Sequence, residues 1–105
     1  MKRTTQPVHD KAEVAIDFPD KFYMGSFSRG SKFEARAEND GLFIKLMRGG
    51  GDRRVAEMHL HHYLLADILG EWAKSLAKEP AMNEDHQENL QQAIAKVDKA
   101  LRKKR

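Results

Sequence analysis

The part of the chain best suited to chemistry is the cluster His59-Leu60-His61-His62. On a strand, His59 and His61 would share one face, and imidazoles at that spacing can ligate zinc. Glu57 would lie on the same face and could supply a third ligand. The cluster also sits where a predicted strand gives way to a helix, and polar residues are expected there without any metal. We favour that simpler interpretation and expect no metal ion and no cofactor.

Two other features carry weaker chemical signals. The run Gly49-Gly50-Gly51 leads into a strand bearing Arg53 and Arg54, whereas a phosphate-binding loop leads into a helix N-terminus. This pattern favours an ordinary flexible hairpin loop. None of the serines stands in the strand–turn–helix context of a catalytic nucleophile; they are Ser26, Ser28, Ser31 and Ser75.

The carboxylates offer no better catalytic pair. Glu34 and Glu38 alternate with Lys32 and Arg36 along one predicted strand face. That alternation favours a ladder of ion pairs over a general acid and base. We therefore expect the protein not to be an enzyme.

Length and composition set the remaining limits. The chain has 105 residues, no cysteine, 33% charged residues and a net charge of +3. This length suits one domain, and the absence of cysteine excludes disulfides and thiolate chemistry. No apolar run is long enough to span a membrane, and no apolar stretch follows the basic N-terminus as in a secretory signal. We therefore expect a cytoplasmic protein without membrane contact.

The hydrophobic periodicity changes along the chain. We predict a flexible arm over residues 1–11 and a single domain over residues 12–105, with strands over about 12–60 and helices over about 62–79 and 84–103. Val14, Ile16 and Phe18 alternate with polar residues as in a half-buried strand. From residue 32 to 38 the pattern predicts apolar side chains inward and charged ones outward. Asn39-Asp40-Gly41 predicts the hairpin turn that follows, because these residues tolerate a positive φ.

Two helices complete the pattern. A broad apolar stripe runs from Leu64 to Leu76 and includes Trp72, which we interpret as a core anchor or, alternatively, as a dimer-interface anchor. Pro80 ends this helix, and Asn83 can cap the next. The second helix carries a narrow seam typical of a coiled coil, formed by Leu90, Ile94, Val97 and Leu101. The predicted fold class is therefore α+β: an antiparallel meander of four to five strands followed by two C-terminal helices, the first packed on the sheet.

Basic and aromatic residues of the strand region form a candidate nucleic-acid surface. Stacking rings beside cations suit single-stranded DNA or RNA, and a basic C-terminal tail could add phosphate contacts or bind an acidic protein. The same tail also suits the negative end of a helix dipole. The candidate contacts are Tyr23, Arg29, Lys32, Arg36, Lys45, Arg48, Arg53 and Arg54.

The order of elements resembles a known group of proteins. The features that carry the resemblance are the glycine-then-basic stretch from Ser28 to Arg36 and the strand from Arg53 to Leu60, which ends where a long helix begins. Over roughly residues 12–79 the chain resembles the small single-stranded nucleic-acid-binding proteins of the Whirly, Pur-alpha and positive cofactor four type. The resemblance implies a homodimer paired through helices, with nucleic acid lying across the sheets. This chain departs from the group in its electrically neutral strand region and in its additional last helix.

Two functional hypotheses follow. The first is a non-enzymatic homodimeric module that binds single-stranded nucleic acid through its sheet and basic tail. The second is a protein-interaction or homo-oligomerisation module that binds no nucleic acid, with an interface formed by Trp72 and the seam of the last helix.

Overall fold

The computed structural model describes residues 5–50 and 53–104. These residues form six strands followed by two helices. The strands are β1 (Gln6–Pro7), β2 (Ala12–Phe18), β3 (Lys21–Phe27), β4 (Lys32–Glu38), β5 (Gly41–Arg48) and β6 (Arg54–His61), and the helices are α1 (His62–Lys78) and α2 (Glu84–Arg102). The α+β class, the antiparallel strands and the two C-terminal helices are therefore confirmed.

The strands divide between two antiparallel sheets, and the predicted meander is confirmed in β4, β5 and β6. β4, β5 and β6 are consecutive neighbours in a four-stranded sheet of order β1-β4-β5-β6, while β2 and β3 form a two-stranded sheet of their own. The edge of β4 that β3 would have used is occupied at its start by β1, where Gln6 pairs with Phe33 and Pro7 with Lys32. The N-terminal strand, and not the β2–β3 hairpin, is therefore the neighbour of β4 on this side.

Part of the predicted N-terminal arm is held in this sheet. The backbone N–H of Val8 donates to the carbonyl of Ser31 at 3.0 Å, which extends the pairing of β1 beyond Pro7. Pro7 has no N–H, and an edge strand is where a sheet tolerates proline. Residues 1–4 of the arm and Gly51 and Asp52 of the glycine loop lie outside the described residues.

The predicted hairpin at Asn39-Asp40 joins β4 to β5, but for a different physical reason. Among the described residues only Gly30 and Gly50 have positive φ, so the hairpin does not depend on that property. Gly41 is needed because a Cβ atom there would lie 1.9 Å from the carbonyl oxygen of Leu60 on β6. Close approach of two backbones therefore selects glycine at the start of β5.

The prediction that the apolar side chains of β4 point inward and its charged side chains outward is wrong. Phe33 is half-buried and Ala35 and Ala37 are exposed, whereas Glu34 is 3% exposed. The alternation correctly identified which residues share a face, but the most buried side chain of β4, Glu34, lies on the charged face. The long side chain of Arg36 accounts for this, because its guanidinium contacts Glu34 and covers the sheet on that side.

Both helices begin and end close to their predicted bounds. α1 follows β6 directly and contacts the sheet at its first residue, where the N–H of His62 donates to the carbonyl of Asp40 at 3.0 Å. α2 is capped by Asn83, whose side-chain oxygen accepts from the N–H of Asp85 at 2.9 Å. Neither helix contains a buried residue. Trp72 is 39% exposed, so its interpretation as a core anchor is wrong within this chain.

The chain divides into two compact units, Met1–Glu71 and Trp72–Arg105. The first contains all described strands and the start of α1, and the second contains the rest of α1 and α2. The prediction of one domain from residue 12 onward stays a prediction. None of the helices within the described residues has the length and apolar character needed to cross a membrane.

We expect Gly41→Ala to lower the free energy of unfolding by about 1–3 kcal/mol, the usual cost of overpacking. The added methyl group would meet the Leu60 carbonyl and force β5 away from β6. Urea denaturation at one fixed protein concentration measures the change. Gly70→Ala is the matched control, because nothing lies within 4 Å of its Cβ position in α1, and it should raise stability by roughly 0.5–1 kcal/mol. Equal effects of the two substitutions would contradict the role given to Gly41.

Candidate functional site

The charged face of β4 is organised around the Arg36 guanidinium. Its Nη1 donates to Glu34, its Nη2 lies 3.1 Å from Oε1 of Glu38, and its Cζ lies 4.1 Å from the centre of the Phe43 ring. Burial by itself lowers the pKa of Arg36, but hydrogen bonds and Coulombic attraction to Glu34, and then to Glu38, outweigh burial and raise the pKa. Arg36 is therefore a charged group held by two carboxylates and a ring.

Positive and negative side chains continue to alternate on the same face of the sheet at Lys45. Lys45 on β5 stands opposite Glu34 on one side and Glu57 on the other. Its Nζ lies 3.7 Å from the Glu57 carboxylate. The expected ladder of ion pairs is therefore present on this face, partly within β4 and partly across strands. A face of alternating sign repels as many phosphates as it attracts.

The structure does not bring the eight candidate nucleic-acid contacts together on one face. Directly paired residues share a face of a sheet and sequence neighbours lie on opposite faces, so Arg48 and Arg54 lie opposite the face that bears Arg36 and Lys45. Arg29 lines a small open cleft beside His9. The other three candidates are Lys32 on the face of Arg36, and Tyr23 and Arg53 in the walls of an apolar groove.

That apolar groove runs between the β2–β3 hairpin and the sheet face opposite Arg36. Its volume is about 740 Å³. Val14, Ile16 and Phe18, which the alternation placed on one side of a strand, all line it. The remaining apolar walls come from Tyr23, Met24, Phe27, Ile44, Leu46, Val55 and Met58. Of the hydrophobic residues that the structure describes, only Phe27 is buried, at 3% exposure.

Gly25 marks where β6 approaches the hairpin. A Cβ atom at this position would lie 3.5 Å from Nη1 of Arg54. Both atoms nearest to that position belong to the Arg54 side chain, and the distances of 3.5 and 3.6 Å are those of an ordinary van der Waals contact. Arg54 is thus a wall of the groove and lies against the hairpin backbone.

Both helices present apolar side chains to solvent. On α1 they include Leu64, Ile68 and Trp72. On α2 all four residues of the predicted seam are exposed, and the exposed fraction rises from 37% at Leu90 to 63% at Leu101. The candidate interface residues are therefore accessible, and the seam consists of Leu90, Ile94, Val97 and Leu101.

The histidine pair lies where the sequence predicted it, but with a different acidic neighbour. His59 and His61 share one face of β6, and both contact the carboxylate of Asp40 from the β4–β5 turn. Glu57, the residue that the sequence suggested, is paired with Lys45 instead. The sequence analysis missed Asp40, because only the pairing register of β5 with β6 shows that Asp40 lies beside the two histidines.

Comparison with known proteins returns no match: no protein-family model, curated protein or solved structure resembles this chain closely enough to count. The resemblance to the Whirly, Pur-alpha and positive cofactor four group therefore stays a prediction. Function has to be argued from the residues themselves.

We expect Arg36→Met to lower the urea midpoint of unfolding, because it removes the cation that contacts the buried Glu34 carboxylate and leaves that carboxylate poorly compensated. Arg48→Met is the matched control, since Arg48 is exposed at the end of β5. Adding Glu34→Gln to Arg36→Met should recover part of the loss, which a double-mutant cycle detects. Identical midpoints for the Arg36 and Arg48 variants would show that the ion cluster contributes nothing to stability.

Proposed function

We propose that this protein is a non-catalytic, self-associating module whose apolar surfaces are covered by a second copy of the same chain. One observation carries the proposal: among the described hydrophobic residues a single copy buries only Phe27. Folding must offset a large loss of conformational entropy, and apolar burial is the main term that does so. A second copy supplies the burial that one copy lacks.

The pattern of the exposed residues favours a second copy over an unrelated partner. The α2 seam has the spacing of a coiled coil, in which helices of one sequence can cover each other. A two-fold contact uses the same patch on both subunits, so one apolar seam is sufficient for both sides. Exposed apolar side chains on α1, including Trp72, extend the apolar surface available to such a contact.

The charges of α2 favour an antiparallel pair. The first turn carries Glu84 and Asp85, and the last turn carries Lys99 and Arg102. In an antiparallel pair the acidic end of each helix lies beside the basic end of the other, whereas a parallel pair places like charges together. Each helix end also complements its own dipole in this way.

No specific observation favours nucleic-acid binding over self-association. Arg36 and Lys45, two of the candidate contacts, are ion-paired to glutamates, and the eight candidates are spread over different faces. Binding of single-stranded DNA or RNA, or of an acidic protein, therefore stays a prediction from the sequence.

Ile94→Asp should convert a dimer to a single chain, because a carboxylate in the middle of the seam would lose hydration on association. Light scattering after size-exclusion chromatography should give about twice the chain mass of 12.0 kDa for the wild type and about one chain mass for the variant. Gln92→Asp, on the opposite side of α2, is the matched control and should leave the mass unchanged.

Circular dichroism at equal concentration should show that the Gln92 variant keeps the helix content of the wild type, and that the Ile94 variant keeps its strand signal even where it loses helix, so that loss of mass is not loss of the sheet. A wild type with the mass of one chain would overturn the proposal. Retention of single-stranded oligonucleotides at low salt by that single chain, with a steep salt dependence, would support the nucleic-acid hypothesis instead.

The orientation of the pair is testable because the chain has no cysteine of its own. We expect a mixture of differently tagged Leu90→Cys and Leu101→Cys chains to form mainly the mixed disulfide after mild oxidation, since antiparallel pairing places these positions close together. Non-reducing electrophoresis separates the three products. Disulfides formed mainly between identical chains would show a parallel pair.

A further inference from the structure

Three metal-ligating side chains converge at one corner of the four-stranded sheet. His59 Nε2 lies 3.0 Å from Oδ1 of Asp40, and His61 Nδ1 lies 3.6 Å from Oδ2. One ligand atom from each residue lies within 4.8 Å of the other two. The two imidazole rings are stacked, with centroids 4.8 Å apart and an interplanar angle of 25°.

The backbone fixes this convergence independently of the side chains. Gly41 pairs directly with His61, and its close approach to the carbonyl of Leu60 holds the start of β5 against β6. The carbonyl of Asp40 accepts from the N–H of His62 at 3.0 Å. Asp40 is therefore anchored on β6 and α1 through main-chain contacts, and its carboxylate faces the two histidines.

The spacing suits a metal ion bound by three protein ligands. Zinc bonds to histidine nitrogen and carboxylate oxygen measure roughly 2.0–2.2 Å, so ligand atoms around a tetrahedral zinc lie roughly 3.3 Å apart. His59 Nε2 lies 3.0 Å from one carboxylate oxygen of Asp40 and His61 Nδ1 lies 3.6 Å from the other, distances close to that value, and the three ligand atoms all lie within 4.8 Å of one another. Because the two rings are stacked, binding requires the imidazoles to rotate about their side-chain bonds so that one nitrogen of each faces the ion.

The donor set indicates which metal. Two imidazoles with one carboxylate suit zinc and similar first-row divalent ions, whereas magnesium and calcium favour oxygen ligands alone. All three residues are exposed, so a fourth position is accessible to water. We propose that Asp40, His59 and His61 bind one zinc ion per chain and that the ion ties the β4–β5 turn to the end of β6.

Isothermal titration calorimetry of the purified, metal-free protein with zinc chloride tests this proposal by measuring the stoichiometry and affinity of zinc binding. We expect one ion per chain for the wild type and an affinity at least ~10-fold lower for Asp40→Asn, because even loss of an outer partner of a metal ligand costs about that factor. His59→Gln and His61→Gln should each weaken zinc binding similarly. Excess magnesium chloride should leave the zinc titration unchanged.

Two matched controls identify the ligands. Glu57→Gln removes the acidic residue that shares the face of His59, and His62→Gln removes the histidine next to His61 while keeping its backbone hydrogen bond. Both should bind zinc as the wild type does. Circular dichroism without metal should show that all five variants keep the fold of the wild type.

The proposal also predicts a change in stability. Zinc should raise the thermal midpoint of the wild type, since a ligand bound only by the folded state stabilises it, and the same zinc concentration should raise the Asp40→Asn midpoint less. A wild type that binds no zinc at 100-fold molar excess would overturn the site. Asp40→Asn binding as tightly as the wild type, or Glu57→Gln losing the ion, would overturn the assignment of ligands.

Discussion

The contact between Gly41 and the carbonyl of Leu60 is the constraint on which the four-stranded sheet depends. A side chain at Gly41 would meet the backbone of β6, so the register of β5 against β6 is fixed at this end. That register determines the rest of the corner: Gly41 stands opposite His61, the Asp40 carbonyl receives the first N–H of α1, and the Asp40 carboxylate reaches the histidines. One residue without a Cβ atom therefore positions a turn, a helix start and a cluster of ligating side chains.

The periodicity of the sequence predicts much of this fold. The bounds of β4, the stop at Pro80 and the Asn83 cap follow from residues that act within a few positions of themselves. The alternation from 32 to 38 also identified the two faces of β4. It failed to show that Glu34 on the charged face is buried, because that burial depends on Arg36 reaching both Glu34 and Phe43, and Phe43 lies on a neighbouring strand.

The features that the sequence did not predict depend on pairing between distant segments. Gln6 and Pro7 show no periodicity, yet they occupy the edge of β4 and leave β2 and β3 as a separate hairpin. Asp40 looks like an ordinary turn residue until the register of β5 and β6 places it beside His59. By spacing alone Glu57 was the better candidate for a third metal ligand. In the structure Glu57 forms an ion pair with Lys45, which stands opposite it on β5.

Neither α1 nor α2 buries a residue within its own chain, and this affects how the chain folds and assembles after synthesis. Most helical stability in proteins comes from tertiary packing of an apolar face, so these segments gain little stability from their own polypeptide. If a second copy stabilises them, the last step of maturation is bimolecular, and its rate depends on how many newly made chains are present. Scarce chains would remain open to proteolysis over their C-terminal third, so expression level would set how much of the protein persists.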